Sequence, residues 1–323
     1  MSTASSVPET WELTDDDARQ TLRSCGRGQL VRDAFVRLRV ADGFSHARSL
    51  AYTTSLVLVQ SIIGVVGLAS ALGSRGANGI IVRTLKAAVP GPGGALLTDA
   101  VTQAHHAGAA HRYLGLTFGL VGSLVTGATT MGQLERGFNR IYGVEQDRPT
   151  LRKYALATLL TVSAGALGCV AFAALALGNS IGDSIDNRTA NTAWAIARWP
   201  LALALVTIAI TLLLRYSPSR HQPSVSWLAF GAGVSALLWI ACTLGLGLFF
   251  TASTSFGKTY GPLAGVVALL VWALLSSISV LYGGAIAAQL EAVRAGVTEP
   301  QDDAKVEHSE PHEDLTLEGA TAR

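Results

Sequence analysis

The sequence predicts an all-α polytopic membrane protein: a bundle of six transmembrane helices with an amphipathic N-terminal helix and a helical outer loop. Composition and charge placement carry that prediction. Half of the 323 residues are hydrophobic and 14% are charged, where a soluble domain carries roughly 25% charged residues. The charges gather at both ends and in a few clusters. Between them lie six stretches without Asp, Glu, Lys, Arg or His, at about 49–72, 113–131, 154–178, 199–214, 226–250 and 262–290. Charge-free apolar runs of about 20 residues have the length of a bilayer-spanning helix. They lack period-2 alternation, and barrel strands are only about 10 residues long. Helices satisfy their own backbone hydrogen bonds in lipid, so six helices is the economical solution.

The elements follow in order. Residues 1–18 are polar and acidic and are expected to be disordered. Residues 19–48 are basic, and Leu30, Val31, Ala34, Phe35 and Leu38 can share one helical face. That pattern predicts an amphipathic helix on the inner leaflet, where each cation contributes about 1 kcal/mol against an anionic surface. The apolar face and the adjoining span account for the arginines without a nucleic-acid partner. The first span begins behind a polar segment too long for a signal-peptide n-region, so it reads as a retained helix.

The outer segment 73–112 is too long for a turn and too polar for a span. Its PGPGG at 90–94 splits it into two short helices, expected to form a lid over the outer face. His105, His106 and His111 lack the i,i+4 spacing that puts two metal ligands on one helix face. Gly115 with Gly119, and Gly261 with Gly265, form GxxxG pairs that favour tight packing within the bundle. Gly283 and Gly284 read as a site where the last span bends. The outer loop 179–198 is polar, with order expected only near its ends. Residues 293–323 read as an acidic, disordered tail in which His308 and His312 sit among carboxylates. Cys25, Cys169 and Cys242 form no CxxC pair and read as small packing residues. No cofactor is expected, and the oligomeric state is left open.

Lys and Arg mark cytoplasmic loops. Assigning loops alternately to the two sides of six spans puts 17 of the 24 Lys and Arg on the side that holds both termini. Both termini are therefore expected in the cytoplasm of a multi-pass inner-membrane protein, together with the loop at 132–153. Within that loop, Leu134, Phe138, Ile141 and Tyr142 fall within about a third of a helical circle, opposite Arg136, Asn139 and Arg140. This predicts a short amphipathic helix prolonging the second span. Gly143 suits its left-handed C′ position, and Asp147 before Pro149 starts the next helix. Arg136 and Arg140 share a face at i,i+4 and are candidate contacts for anionic lipid head groups.

The stretch LERGFNRIYGVEQDRPTLRKY resembles the hallmark loop of the YihY/BrkB family of bacterial inner-membrane proteins: Leu134, Asn139, Arg140, Tyr142, Val144, Arg148 and Pro149 fit its pattern. Later blocks fit as well, with Trp199, Pro200, Tyr216 and Pro218, then Tyr260, Gly261, Gly265, Trp272 and Gly284. The resemblance covers about residues 40–292. It departs at Gln60, where the family has a proline, and at Ile286, where it has a glutamate. The resemblance implies a six-helix membrane fold. It implies no one activity: relatives carry ribonuclease BN labels, virulence labels, or links to lipid handling in the envelope. The candidate site residues it yields are Arg136, Asn139, Arg140, Tyr142, Arg148, Pro149, Tyr260, Gly261, Trp272 and Gly284.

Catalytic chemistry is not visible in the residues. An enzyme needs a positioned acid, base, nucleophile or metal, and no H-E-x-x-H, G-x-S-x-G, P-loop or G-x-G-x-x-G is present in a suitable context. Glu135, Glu145 and Asp147 lie near arginines and read as loop charges. The spans bury no ionisable residue of the kind a proton- or sodium-driven transporter uses. Their polar content is Ser, Thr and Gln60, which suits a lipid or other amphiphile better than an ion. The leading expectation is transbilayer handling of such a molecule, with membrane lipids as partners. The alternative is a non-catalytic scaffold recruiting partners through its cytoplasmic termini.

Overall fold

The computed structural model describes residues 3–10, 20–23, 26–71, 79, 82, 85, 89–146, 148–176, 188–253, 260 and 263–302. Seven helices organise them: α1 Arg27–Val40, α2 Gly43–Ala71, α3 Pro92–Tyr142, α4 Thr150–Ala176, α5 Arg188–Tyr216, α6 Val225–Ala252 and α7 Leu263–Arg294. Six of these, α2 to α7, each contain a segment long and apolar enough to cross a membrane. Apart from one isolated bridge, between Ala4 and Gln301, no β pairing occurs among the described residues. The all-α polytopic architecture is as the charge-free runs require.

Consecutive spans pack side by side and α7 returns to α2, which closes a ring. α7 also packs on α1 and α3, and it is the most buried span. α4 and α5 lie at the periphery. Their Leu159, Val162, Val170, Trp199 and Ile208 are exposed, as lipid-facing side chains must be. One core gathers at the end that carries residues 3–10 and 294–302, here called the base. It joins Leu38, Leu134, Phe138, Ile141, Leu214, Leu228, Leu281 and Ile286. A second joins Ile62, Val66, Leu97, Val101, Leu246, Leu269 and Trp272.

Small residues set the closest approaches. A Cβ on Gly119 would meet the Gly64 nitrogen at 2.2 Å, so the GxxxG of α3 packs within the bundle, against α2. Gly283 and Gly284 do not interrupt α7. They let α6 and Phe138 of α3 press against it.

The structure departs from the sequence reading in several places. Residues 3–10, expected to be disordered, are packed, with Ala4 fully buried and Val7 nearly so. Their backbone bonds to the helix ends: the Val7 N–H donates to the Tyr142 carbonyl at 3.1 Å and Ser5 N–H to that of Pro300 at 3.0 Å. The tail is likewise ordered as far as Asp302, whose N–H donates to the Thr3 carbonyl. α5 starts at Arg188, well before the expected Trp199, and runs through Pro200. Neighbouring helices and local adjustment make an internal proline tolerable in a membrane helix.

The outer segment forms no separate lid where it is described. Gly91, at φ +64, turns the chain, and Pro92 starts α3. The first turns of α3 are embedded, with Leu97 and Val101 buried against α2, α6 and α7. Val59 of α2 lies beside Leu97, while the next residue, Gln60, faces Gly122. Residues 97 and 122 of one helix therefore reach the same level of α2. A straight helix would separate them by about 38 Å, so α3 is not straight between them. The apolar side chains of these first turns are buried in the bundle. Arg19, Cys25, Asp147, Lys258, Gly261, residues 179–187 and residues 303–323 lie outside the described residues, as do the side chains of His105, His106 and His111.

Candidate functional site

The base is built from buried charge. On α1, Arg37 is fully buried. Its Nε donates to Gln289 Oε1 at 2.8 Å, and Nη1 donates to the carbonyls of Ser5 at 2.8 Å and Ile141 at 3.2 Å. Burial lowers its pKa to about 10, against the pull of nearby Glu291; at neutral pH the guanidinium remains cationic. Gln289 in turn donates to the Thr298 carbonyl at 2.7 Å. Arg220, in the turn between α5 and α6, pairs with Glu291 at 2.7 Å, donates to the Pro8 carbonyl at 3.0 Å and stacks 4.7 Å from the centre of the Tyr142 ring. Thr10 donates to the same Glu291 carboxylate. The N-terminal strap, α1, α3, the α5–α6 turn and α7 are thereby tied at one level.

The hallmark loop makes a second knot beside the first. Asn139 accepts from the Ser219 N–H at 2.8 Å and donates to its hydroxyl at 3.1 Å; that hydroxyl donates to Glu135 at 2.8 Å. Arg148 lies 3.7 Å from Glu135 and donates to the carbonyls of Tyr216, Ser217 and Pro218. The last carbonyls of α5 have no partner inside the helix. A guanidinium there satisfies them and faces the negative end of the helix dipole. Burial pulls the Arg148 pKa down, opposed by Glu135.

Glu135 is therefore a buried anchor, not a loop charge. Asn139 is buried too, not on a solvated face with Arg136. The helical wheel missed this because the end of α3 is contacted from two sides, by the core through Phe138 and by the α5–α6 turn through Asn139. Gly143 takes the left-handed C-cap at φ 68 as expected. α4 begins at Thr150, and the Pro149 carbonyl accepts from Lys153 N–H.

The remaining motif residues are scattered. Arg136 is exposed and Arg140 half-buried. Gly284 lies under Phe138, where a Cβ would meet the ring at 2.3 Å. Trp272 packs edge-on to Trp239 at 6.4 Å and donates to Thr243. Tyr260 is half-exposed, at 50%. The family motif thus divides between a clasp at the base and close-packing points along α7.

Two concavities accompany this frame. One, of about 620 Å³, opens between α1, α6 and α7. Leu30, Val31, Phe230, Val234, Tyr282 and Ile286 line it, with Leu22, and Arg23 and Arg27 stand at its edge. The Tyr282 hydroxyl is used, donating to the Val31 carbonyl at 3.0 Å. The other, of about 500 Å³, lies between Val59, the first turns of α3 and Gly265, with Asp99 and Gln103 among its lining. No three His, Cys, Asp or Glu side chains converge on a metal-sized site among the described residues.

Six membrane-length helices locked by a buried polar base define an integral membrane protein of the polytopic α-helical class. The chain belongs to the virulence factor BrkB family, whose model matches residues 34–308. Among its relatives, the putative ribonuclease-like protein YfkH of Bacillus subtilis is 24% identical over 268 residues, covering 80% of this chain and 94% of that protein. The UPF0761 membrane protein Smlt0865 of Stenotrophomonas maltophilia is 28% identical over 292 residues, covering 88% of this chain and 66% of that one. The UPF0761 membrane protein RC1_0578 of Rhodospirillum centenum is 29% identical over 299 residues, covering 88% and 63%. The chain thus spans less than two thirds of the length of these UPF0761 relatives. No solved structure matches.

Proposed function

We propose that this chain moves a lipid or other amphiphile across the plasma membrane, without catalysing a covalent reaction. The observation that carries this reading is the groove between α1, α6 and α7: a concavity of ligand size with apolar walls and arginines at its edge. Buried charge supports it. Arg37, Glu135, Arg220 and Glu291 all sit at the base and bond to one another's elements, so they act as structure, not as a proton path through the spans. The competing idea of a scaffold with free recruiting termini loses support at the N-terminus, because residues 3–10 are woven into the base.

Purified protein in proteoliposomes is expected to accelerate transbilayer movement of a fluorescently labelled phospholipid, read by quenching from outside. Rates equal to those of vesicles holding an unrelated six-helix protein would sink the reading. We place the base, and with it both termini, in the cytoplasm, because the arginine-rich segments converge there. A cysteine introduced at Glu145, exposed in the loop before α4, is then expected to resist an impermeant maleimide in intact cells and to react after lysis. Labelling in intact cells would reverse the orientation.

A further inference from the structure

Resting on that reading, we infer that the groove between α1, α6 and α7 binds an anionic amphiphile, with its head group on Arg23 and Arg27 and one acyl chain along Phe230, Val234 and Ile286. The chemistry of the walls divides along the groove. Leu30, Val31, Phe230, Val234 and Ile286 present only carbon. Tyr282 presents its ring, since its hydroxyl is spent on the Val31 carbonyl. An unbranched hydrocarbon chain loses nothing by desolvation there.

The edge is different. Arg23 and Arg27 are exposed, and among the described residues no acidic side chain lines the groove and neither arginine has a carboxylate partner. They contrast with Arg37, Arg148 and Arg220, whose guanidinium groups hold backbone carbonyls and carboxylates. Arg27 also opens α1, whose N-terminal end favours a negative group.

Depth agrees with this assignment. Val234 lies nine residues, about 14 Å, inward from the start of α6, and Tyr282 lies twelve residues, about 18 Å, inward from the end of α7. That is about one leaflet of a hydrocarbon core roughly 30 Å thick. A chain in the groove would run parallel to its lipid neighbours, with the head at the interface. Ile286 completes the wall; a carboxylate there would repel the same ligand.

Photolabelling of the full chain tests this. The protein is placed in nanodiscs of zwitterionic lipid carrying a trace of phosphatidylglycerol with a diazirine on one acyl chain, or its phosphatidylcholine counterpart. Cross-linked peptides are mapped by mass spectrometry. Labels from the anionic probe are expected on residues 230–234 and 282–286, and to fall about tenfold or more in Arg23→Gln/Arg27→Gln. The phosphatidylcholine probe is expected to label the groove weakly and without response to that change. Val234→Trp, which fills the groove and keeps both charges, is expected to abolish groove labelling by either probe while gel filtration stays unchanged. Equal labelling by the two probes, or labels spread evenly over Leu159 and Val162 on the lipid face of α4, would overturn the inference. Competition by inorganic phosphate alone would reduce it to a small-anion site and overturn the acyl-chain assignment. Labels in place without lipid movement in proteoliposomes would sink the proposed function and leave this site standing. Movement with labels elsewhere would do the reverse.

Discussion

Arg220→Ala is expected to cost about 3–5 kcal/mol, the range found when one partner of a buried ion pair is removed. Both side chains of the Arg220–Glu291 pair are almost completely buried, at 2% and 1% exposure, and their atoms are 2.7 Å apart. Without the guanidinium, the carboxylate keeps Thr10 but loses its counter-charge, the Pro8 carbonyl loses a donor, and the Tyr142 ring loses its stacked cation. Residues 8–10 of the strap are then held by Thr10 on Glu291 and by Glu9, which accepts from the His221 N–H at 3.1 Å, with no bond from Arg220 to Pro8. At about 2–4 °C per kcal/mol for a chain of this order of size, the thermal midpoint in detergent is expected to fall by about 10 °C. Glu291→Ala should cost a similar amount, because it leaves Arg220 buried. The double variant Arg220→Met/Glu291→Leu should cost less than the sum of the two single changes, because no charge is then left uncompensated. Additive losses would mean that the two groups act independently, and an unchanged midpoint would mean that the pair is solvated.

The contrast between what the chain announced and what it hid has one physical root. Spans are legible because a bilayer tolerates no charge over about 20 residues, a constraint written locally into composition. The base is non-local. Arg220 and Glu291 are 71 residues apart, Glu135 and Ser219 are 84 apart, and Arg37 and Gln289 are 252 apart. Composition sees each as one more charge or polar group beside a span, which is why the charges around the hallmark loop read as loop charges and interfacial arginines.

Residues 3–10 were misread for a related reason. Their order comes from backbone groups filling positions at helix ends, as when Val7 donates to Tyr142, and main-chain bonding leaves little trace in side-chain polarity. The hallmark motif was visible as a pattern, but its role was not: Asn139 and Arg148 both reach the α5–α6 turn, and nothing in residues 134–154 names that partner. Arg23 and Arg27, from the segment before and at the start of α1, are among the residues lining the groove; Arg136 and Arg140, which the sequence singled out, are not.

Gly283→Ala is expected to be among the most costly methyl additions to the spans. A Cβ at Gly283 would lie 1.8 Å from Ser235 Oγ and 2.3 Å from the Gly231 carbonyl oxygen. The serine can rotate away; the backbone of α6 cannot, so α6 must separate from α7. Gly231 faces the same contact from the other side, with its own Cβ position 2.5 Å from the Gly283 carbonyl. Helix association in lipid relies on close van der Waals packing, since burial from water offers no drive there. Separation therefore forfeits contacts along the whole α6–α7 seam, which includes the groove wall at Val234 and Ile286. Overpacking of this kind costs about 1–3 kcal/mol, occasionally more, and Ser235→Ala should not restore it. Gly165→Ala in α4 supplies the control: its Cβ would meet nothing within 4 Å, and alanine is the better helix former by about 1 kcal/mol. Thermal midpoints in one detergent are expected to fall for Gly283→Ala and to hold or rise for Gly165→Ala. Equal behaviour of the two would show that α6 and α7 are not in the close contact on which both the bundle and its groove depend.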